Sequence, residues 1–243
     1  MRLPAPPWIA GHRGSEPELE NTLASCRRAV ADGADLIEVD VQVTRDDRLV
    51  LFHDTTLERL AGGDPRRIEE LPEAALRRVA LRDGEHRAPP SRIPSLEELF
   101  ASLPAGFPVN LEAKRFAADP GKLARALAGT LAGRPNVLVS SFDEPLLEEL
   151  RRQAPVLPLA PLAARLDAAV RELAGRLGAW SLHLGEAPEA DLLRALPWPV
   201  LVYTVNEGPL ARQLLARGVA GLFTDRPGWL RRELAWVAPP RVV

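Results

Sequence analysis

Short apolar runs alternate with amphipathic helical patterns along nearly the whole chain, and this alternation limits the possible folds more than any other feature. Eight runs predict strands, at Trp8–Gly11, Leu36–Thr44, Val109–Ala113, Val137–Ser141, Val156–Leu159, Trp180–Leu184, Val200–Val205 and Gly221–Thr224. Helical patterns separate them, at Thr22–Asp32, Leu96–Leu103, Pro120–Leu131, Glu144–Arg152, Leu166–Leu177, Glu189–Leu196 and Pro209–Arg217, with a last one from Gly228. Strands that alternate with helices predict parallel βαβ units.

The number of strands indicates how these units are arranged. Eight strands within 243 residues favour a closed (β/α)₈ barrel, the TIM barrel, over an open doubly wound sheet. In such a barrel the functional side chains lie at the carboxyl ends of the strands. Polar residues at those ends therefore deserve more weight than polar residues elsewhere.

One region interrupts the alternation after the second strand. Leu49–His53 predicts a further strand that pairs with the second across a polar turn. The next segment, Thr55–Ser95, is too long for a structureless loop in a compact domain. We therefore expect one barrel domain over residues 1–243 with an inserted subdomain at about 55–95. Ser95, with Glu98 three residues later, predicts a capping box where the next helix begins.

Composition excludes several classes of protein. The formal net charge of -2 argues against a nucleic-acid partner, and no apolar run reaches the length of a membrane span. The first residues lack the apolar run of a signal peptide, so we expect a cytoplasmic protein without stable membrane association. Cys26 is the only cysteine, which excludes an intrachain disulfide and predicts a small core residue. The oligomeric state and the role of the tail at Val237–Val243 stay open.

Three carboxylates share the predicted active end of the barrel. Glu38 and Asp40 are two residues apart on one strand, so both side chains lie on the same face. Glu112 lies on the next barrel strand, on the same face as Asn110 and Lys114. Clustered buried carboxylates require compensating cations, and oxygen ligands fit Mg²⁺ or Ca²⁺ better than Zn²⁺. The alternative is that these acids pair with arginines at the barrel rim.

Two of the four histidines follow strand ends beside charged groups. A pair such as His12 and His53 can take a proton from a nucleophile and give one to a leaving alkoxide. Either one alone would more often be structural. His86 is expected to be solvated, and His183, on the sixth barrel strand, is a candidate to line the pocket.

Basic residues near the same strand ends are candidates to hold a phosphate. Arg13 offers a planar fork of donors, and Lys114 offers a compact charge. Lys114 and Lys122 are the only lysines among 31 basic residues. A retained ammonium in an arginine-rich chain supports a specific role for Lys114, whereas Lys122 is expected on a helix surface.

An ordered set of motifs along the chain resembles the glycerophosphodiester phosphodiesterase family. The set comprises His12-Arg13-Gly14, Glu20-Asn21-Thr22, Glu38-Val39-Asp40, Phe52-His53-Asp54, Asn110-Leu111-Glu112-Ala113-Lys114, Tyr203-Thr204-Val205-Asn206 and Gly221-Leu222-Phe223-Thr224-Asp225-Arg226-Pro227. Each motif is weak alone, but the ordered set is specific. The resemblance implies an eight-stranded barrel with a small insertion after the second strand.

The resemblance also implies hydrolysis of a small glycerophosphodiester, such as glycerophosphocholine or glycerophosphoethanolamine, to glycerol 3-phosphate and an alcohol. Its residue assignments are His12 and His53 as acid and base; Glu38, Asp40 and Glu112 as ligands of one divalent metal; and Arg13 and Lys114 at the phosphate. Glu20 is expected to support the pocket, with His183 and Tyr203 on the substrate side.

Departures from the family pattern leave the alcohol specificity open. Leu19 stands where the family usually has proline, Tyr203 where it often has tryptophan, and Leu60-Ala61 near a usual threonine pair. Two other functions remain at this stage, a barrel phospholipase acting on intact lipids and an inactive barrel that only binds phosphate ligands. The first nucleophile, water or a glycerol hydroxyl, also remains open.

Overall fold

Eight parallel strands form a closed barrel, as predicted. The computed structural model describes residues 1–82 and 90–235, and all structural statements concern these residues. The strands are β1 (Trp8–Gly11), β2 (Leu36–Val43), β3 (Leu49–Leu51), β4 (Ala80–Leu81), β5 (Ser91–Arg92), β6 (Val109–Ala113), β7 (Val137–Ser141), β8 (Leu159–Ala163), β9 (Leu182–Leu184), β10 (Val200–Val202) and β11 (Gly221–Thr224). β1 pairs with both β2 and β11, which closes the barrel, and β3 extends it as an antiparallel partner of β2.

Helices follow most barrel strands and cover the outside. They are α1 (Leu23–Ala31), α2 (Glu73–Leu76), α3 (Leu96–Ser102), α4 (Pro120–Leu131), α5 (Glu144–Gln153), α6 (Ala168–Leu177), α7 (Ala190–Ala195), α8 (Gly208–Arg217) and α9 (Pro227–Ala235), with a 3₁₀ turn at Ile68–Glu70. The predicted capping box is confirmed, since the Ser95 side chain accepts from the Glu98 N–H and the Glu98 side chain accepts from the Ser95 N–H. Such reciprocal bonds satisfy donors that would otherwise be unpaired at the helix start.

Strand alternation divides the core into two layers. Side chains on the outer faces of the strands, such as Val39 and Leu111, pack with the covering helices. On the inner faces, Trp8, Leu36 and Phe223 form an apolar plug. Leu36 lies on the same face of β2 as Glu38 and Asp40, because side chains alternate along a strand. The plug therefore lies directly below the polar end of the barrel.

The predicted fifth strand was wrong in its position. We expected Val156–Leu159, but β8 covers Leu159–Ala163, and Val156 is 95% exposed. Pro161 lacks the N–H of an ordinary strand residue, and proline is disfavoured within sheets, yet it pairs in register with Ser141 of β7. Closure of the barrel overrides this local preference. Cys26 is fully buried in the core, as predicted.

The segment after β3 has a small core of its own. Phe52, Leu57, Ile68, Leu76 and Ile93 belong to one apolar cluster, separate from the clusters of the barrel. This packing supports our proposal that about residues 55–95 form an inserted subdomain, although residues 83–89, including His86, lie outside the described residues.

No helix in the described ranges is long and apolar enough to cross a membrane. The tail at 236–243 also lies outside those ranges.

Candidate active site

Two adjacent strands supply the three carboxylates. In the register of β2 and β6, Asp40 lies opposite Glu112 and Glu38 lies opposite Asn110. The period of two directs all four side chains to the inner face. One ligand oxygen from each of Glu38, Asp40 and Glu112 lies within 4.8 Å of the others. The structure thus brings the predicted metal ligands together.

The arrangement of the carboxylates fits a hard divalent cation. Oε1 of Glu38 is buried and accepts no hydrogen bond within the described residues, while Oδ1 of Asp40 is buried with the Lys114 ammonium beside it but no hydrogen bond. Lys114 also donates to Glu112. Buried polar atoms are rarely left without a partner, so such closely spaced oxygens indicate a ligand. Oxygen donors at this spacing suit Mg²⁺ or Ca²⁺.

Burial and mutual repulsion change the acidities of these groups. Burial, with the charge of Asp40, raises the pKa of Glu38 to about 8. The same two causes raise the pKa of Glu112, against the influence of Lys114. Burial alone would also raise the pKa of Asp40, but Arg13 and Lys114 outweigh it and hold that pKa below its usual range. Ionising all three together therefore requires further positive charge at this point.

Two basic side chains provide part of that charge. Arg13 Nε lies 3.2 Å from Asp40 Oδ2, and Lys114 Nζ lies 3.3 Å from Asp40 Oδ1 while also contacting Glu112. Asp40 therefore forms an ion pair with an arginine, the kind of contact that the sequence offered as the alternative to metal binding. Glu38 has no basic partner among the described ion pairs and accepts only the Arg13 backbone N–H, at 2.9 Å.

The turn after β1 explains the sequence around His12. Arg13 has a φ of 53°, which directs its backbone N–H toward Glu38. Gly14 has a φ of 101°, and a Cβ there would meet Ser25 Oγ at 2.3 Å. Only glycine fits this close approach between the turn and α1. The positive φ at Arg13 is the kind of backbone strain found at functional sites.

The motif Glu20-Asn21-Thr22 contains three separate structural roles. Asn21 Nδ2 donates to Asp40 Oδ2 at 2.8 Å, and Asn21 Oδ1 accepts from the Asp40 N–H at 2.9 Å. Thr22 caps α1. Glu20 pairs with Arg13 at 3.1 Å and lines neither cavity described below. The first loop thus holds Asp40 and Arg13 in place.

His12 is held by a carboxylate from the opposite end of the chain. Its Nδ1 lies 2.7 Å from Oδ1 of Asp225, which directly follows β11. Burial disfavours the imidazolium, but the bond to Asp225 and the charge of Glu38 outweigh it and raise the pKa of His12. Asp225 lies within one of the family motifs, but the motif alone does not indicate this contact with His12.

His53 has a similar arrangement, formed by the inserted segment. Its Nδ1 lies 2.7 Å from Oδ1 of Asp54. Arg59 donates to Asp54 and also, through two bonds of 2.9 and 2.7 Å, to Glu20. Asp54 and Arg59 were missed as site residues, although Asp54 directly follows His53. These contacts join the first loop, the inserted segment and His53.

Two cavities lie near the carboxylates, the inner one lined by Glu38 and Glu112 and the outer one by Lys114, which contacts Asp40 and Glu112. The inner pocket, with about 280 Å³ of space that is partly open to solvent, is lined by His12, Glu38, Asn110, Glu112, Phe142, Leu162, His183, Tyr203 and Phe223. The outer groove, with about 860 Å³ including space open to solvent, is lined by His53, Asp54, Thr55, Thr56, Glu58, Arg59, Lys114 and Phe116. The two histidines therefore line different cavities.

Tyr203 contributes its ring, not its hydroxyl, to the inner pocket. The hydroxyl donates to the Ala163 carbonyl at 2.8 Å, and the ring meets Phe142 edge-on at 6.1 Å. Burial raises the pKa of Tyr203 to about 12, so the phenol stays neutral.

Lys122 lies on helix α4, and its ammonium contacts the turn after β2, which a helix surface position alone does not predict. Its Nζ donates to the carbonyls of Thr44 and Arg45, at 2.8 and 3.1 Å, and lies 3.1 Å from Asp47. The ammonium satisfies backbone acceptors in the turn after β2. Strand and helix patterns cannot reveal such a contact between distant segments.

These features, a closed α/β barrel with clustered carboxylate oxygens, two histidines and two basic side chains at one strand-end site, fit a hydrolase of phosphate esters. A model of the glycerophosphoryl diester phosphodiesterase family matches residues 11–229. The chain belongs to this family, whose members are phosphodiester hydrolases, and is an enzyme of that kind.

Individual relatives agree with this assignment. The chain is 32% identical over 238 residues to a glycerophosphodiester phosphodiesterase from Caldanaerobacter subterraneus subsp. tengcongensis, covering 90% of this chain and 94% of the relative. An Oleispira antarctica phosphodiesterase solved in complex with the product sn-glycerol-3-phosphate has a TM-score of 0.82 at 26% identity, with coverage of 94% and 97%. A glycerophosphodiester phosphodiesterase from Agrobacterium tumefaciens shares the fold, with a TM-score of 0.76 at 24% identity and coverage of 93% and 99%.

Proposed function

We propose that this enzyme hydrolyses small glycerophosphodiesters to glycerol 3-phosphate and an alcohol, using the acidic cluster to hold one Mg²⁺ or Ca²⁺. The carrying observation is the cluster of Glu38, Asp40 and Glu112 near two cavities, each lined by its own histidine. A diester has two halves joined at one phosphorus, and this site has two compartments near one cluster. Glycerophosphocholine and glycerophosphoethanolamine are the proposed substrates.

The phosphate is proposed to lie over the acidic cluster, with Arg13 and Lys114 as its protein cations. A bound divalent cation would reduce the charge of a phosphate oxygen. Glu38, Asp40 and Glu112 would hold that cation, while Asn21 fixes the orientation of Asp40. Lys114 Nζ already lies beside two of these carboxylates, so it is close enough to reach an oxygen of the same phosphate.

The two histidines are proposed to move protons on opposite sides of the phosphorus. His12 faces the inner pocket and His53 the outer groove. Each has Nδ1 engaged by an aspartate, which leaves Nε2 as the nitrogen for proton transfer. Asp225 and Asp54 thereby act as positioning residues. Each histidine is expected to contribute about 10²–10⁴-fold to the rate.

The products test the proposed function directly. Incubation with glycerophosphocholine should release glycerol 3-phosphate and choline, measured with a coupled glycerol 3-phosphate dehydrogenase. Phosphocholine and glycerol would instead mean that the other ester bond is cleaved. Absence of turnover with glycerophosphocholine and glycerophosphoethanolamine in the presence of Mg²⁺ or Ca²⁺ would contradict the proposed substrate class.

Replacement of Lys114 by arginine should lower activity although the charge is kept. The Lys114 ammonium is largely buried between Asp40 and Glu112, and a planar, longer guanidinium cannot occupy the same position. We expect kcat/KM for glycerophosphocholine to fall about 10-fold or more, with a nearly unchanged melting temperature.

Lys122→Arg is the matched control, since it makes the same chemical change away from the cavities. Its contacts with the turn after β2 can alter the melting temperature but not turnover. Equal, small losses of kcat/KM in both variants would remove Lys114 from the phosphate site.

A further inference from the structure

His183 differs from the other site histidines in its surroundings. It lies on β9, is completely buried and lines the inner pocket. Nε2 lies 3.0 Å from Ser181 Oγ, and the ring meets Phe223 edge-on at 4.9 Å. Nδ1 is buried with no hydrogen-bond partner in the described part of the chain. Proton transfer by His12 and His53 does not require this group.

The unpaired Nδ1 of His183 suits a ligand that can both donate and accept a hydrogen bond. Burial lowers the pKa of His183 to about 3, so the ring is neutral at ordinary pH. The bond to Ser181 then determines whether Nδ1 is a donor or an acceptor. A hydroxyl group can satisfy Nδ1 in either tautomer, because it both donates and accepts. A cation could bind only the acceptor form of Nδ1, and an anion could bind only the donor form.

The rest of the inner pocket agrees with an uncharged ligand. Phe142, Leu162, Tyr203 and Phe223 supply most of its wall away from the acidic cluster, and the Tyr203 hydroxyl is already bonded to the backbone. The basic groups that suit phosphate, Arg13 and Lys114, do not line this pocket. A small polyol fits a pocket whose apolar walls carry unpaired polar atoms, here Asn110 Oδ1 and His183 Nδ1.

We propose that His183 Nδ1 hydrogen-bonds the terminal hydroxyl of the glycerol half of the substrate, which makes the inner pocket the glycerol subsite. This inference rests on the proposed function. The hydroxyl farthest from phosphorus is assigned to His183 because this residue is completely buried, whereas the His12 side chain is 18% exposed. An analogue that lacks this hydroxyl would leave Nδ1 unpaired. His183 thus selects glycerol over shorter or deoxygenated alcohols.

The test compares two substrates that differ in one hydroxyl. One is glycerophosphocholine, and the other is its analogue built on propane-1,2-diol, which lacks the terminal hydroxyl but keeps the one nearest the phosphate. Wild-type kcat/KM should favour glycerophosphocholine by about 10- to 100-fold, the range of one well-formed buried hydrogen bond.

Variants of His183 connect this preference to the residue. His183→Leu should lose activity mainly toward glycerophosphocholine, which brings the ratio close to 1. His183→Gln, which keeps a hydrogen-bonding group, should retain part of the preference. Ser140→Ala is the matched control, because Ser140 Oγ is also buried without a partner but does not line the inner pocket.

Two results would overturn the assignment. They are equal wild-type kcat/KM for the two substrates, and an undiminished preference in a folded His183→Leu or His183→Gln variant. Failure of the proposed function looks different, since the wild type would then release no glycerol 3-phosphate from glycerophosphocholine.

Discussion

Exhaustive chelation is expected to abolish hydrolysis of glycerophosphocholine, and Mg²⁺ or Ca²⁺ is expected to restore it better than Zn²⁺. Glu38, Asp40 and Glu112 supply only oxygen ligands, the donors that hard cations prefer. Without the cation, a negatively charged phosphate would have to approach three acidic side chains. Full activity after exhaustive chelation would exclude the metal site.

A thermal shift provides a second measurement that does not depend on turnover. A cation present at 100 times its Kd stabilises the folded state by about 2.7 kcal/mol, which corresponds to roughly 5–10 °C for a chain of this size. Glu38→Gln and Glu112→Gln should lose most of this response and nearly all activity. Glu38→Gln should not destabilise the metal-free protein, because the amide can still accept from the Arg13 N–H and no carboxylate remains to be desolvated.

The matched control is Glu172→Gln, the same chemical change at an exposed position on α6. It should keep both the thermal response and the activity. A triad variant that responds to Mg²⁺ or Ca²⁺ like the wild type would remove that carboxylate from the ligand set.

His12→Ala and His53→Ala are each expected to lower kcat by at least about 10²-fold while the fold is maintained. Both rings lie beside the acidic cluster with Nδ1 bound to an aspartate, which is the arrangement of a proton-transfer group. Steady-state kinetics measure the loss, and circular dichroism checks the fold. Near wild-type turnover in either variant would return that histidine to a structural role.

A better leaving group distinguishes the two roles. Nitrophenolate needs little protonation, so the glycerol nitrophenyl phosphodiester should rescue the variant that lacks the general acid. The variant that lacks the base should lose a similar factor on both substrates. Rescue of both variants, or of neither, would contradict a division of labour between the histidines.

Local sequence patterns determined the main elements of the fold and the acidic cluster. Alternation of strands and helices predicted a closed barrel, and the i, i+2 spacing placed Glu38 and Asp40 on one face. The Ser95 capping box and the burial of Cys26 were also predicted correctly. These features depend on residues close together in the chain or on a simple period, so no knowledge of distant contacts was needed.

The tertiary structure alone decided how the site residues are held. His12 and Asp225 are 213 residues apart, and they meet because closure of the barrel places β11 beside β1. Glu20 and Arg59 meet across the inserted segment, 39 residues apart. The same limit explains why the contacts of Lys122 were not predicted, since its backbone acceptors lie 77 and 78 residues away.

The burial of His183 is another feature that only the tertiary structure decides. Alternation along β9 indicates that Ser181 and His183 share a face, but it cannot tell whether that face meets water, a helix or the lumen. Closing eight strands into a barrel turns this face inward, where the ring loses its hydration and Nδ1 has no protein partner. The sequence determined which side chains lie side by side on a strand, and barrel closure decided which of them enclose a pocket, because desolvation depends on all the strands at once.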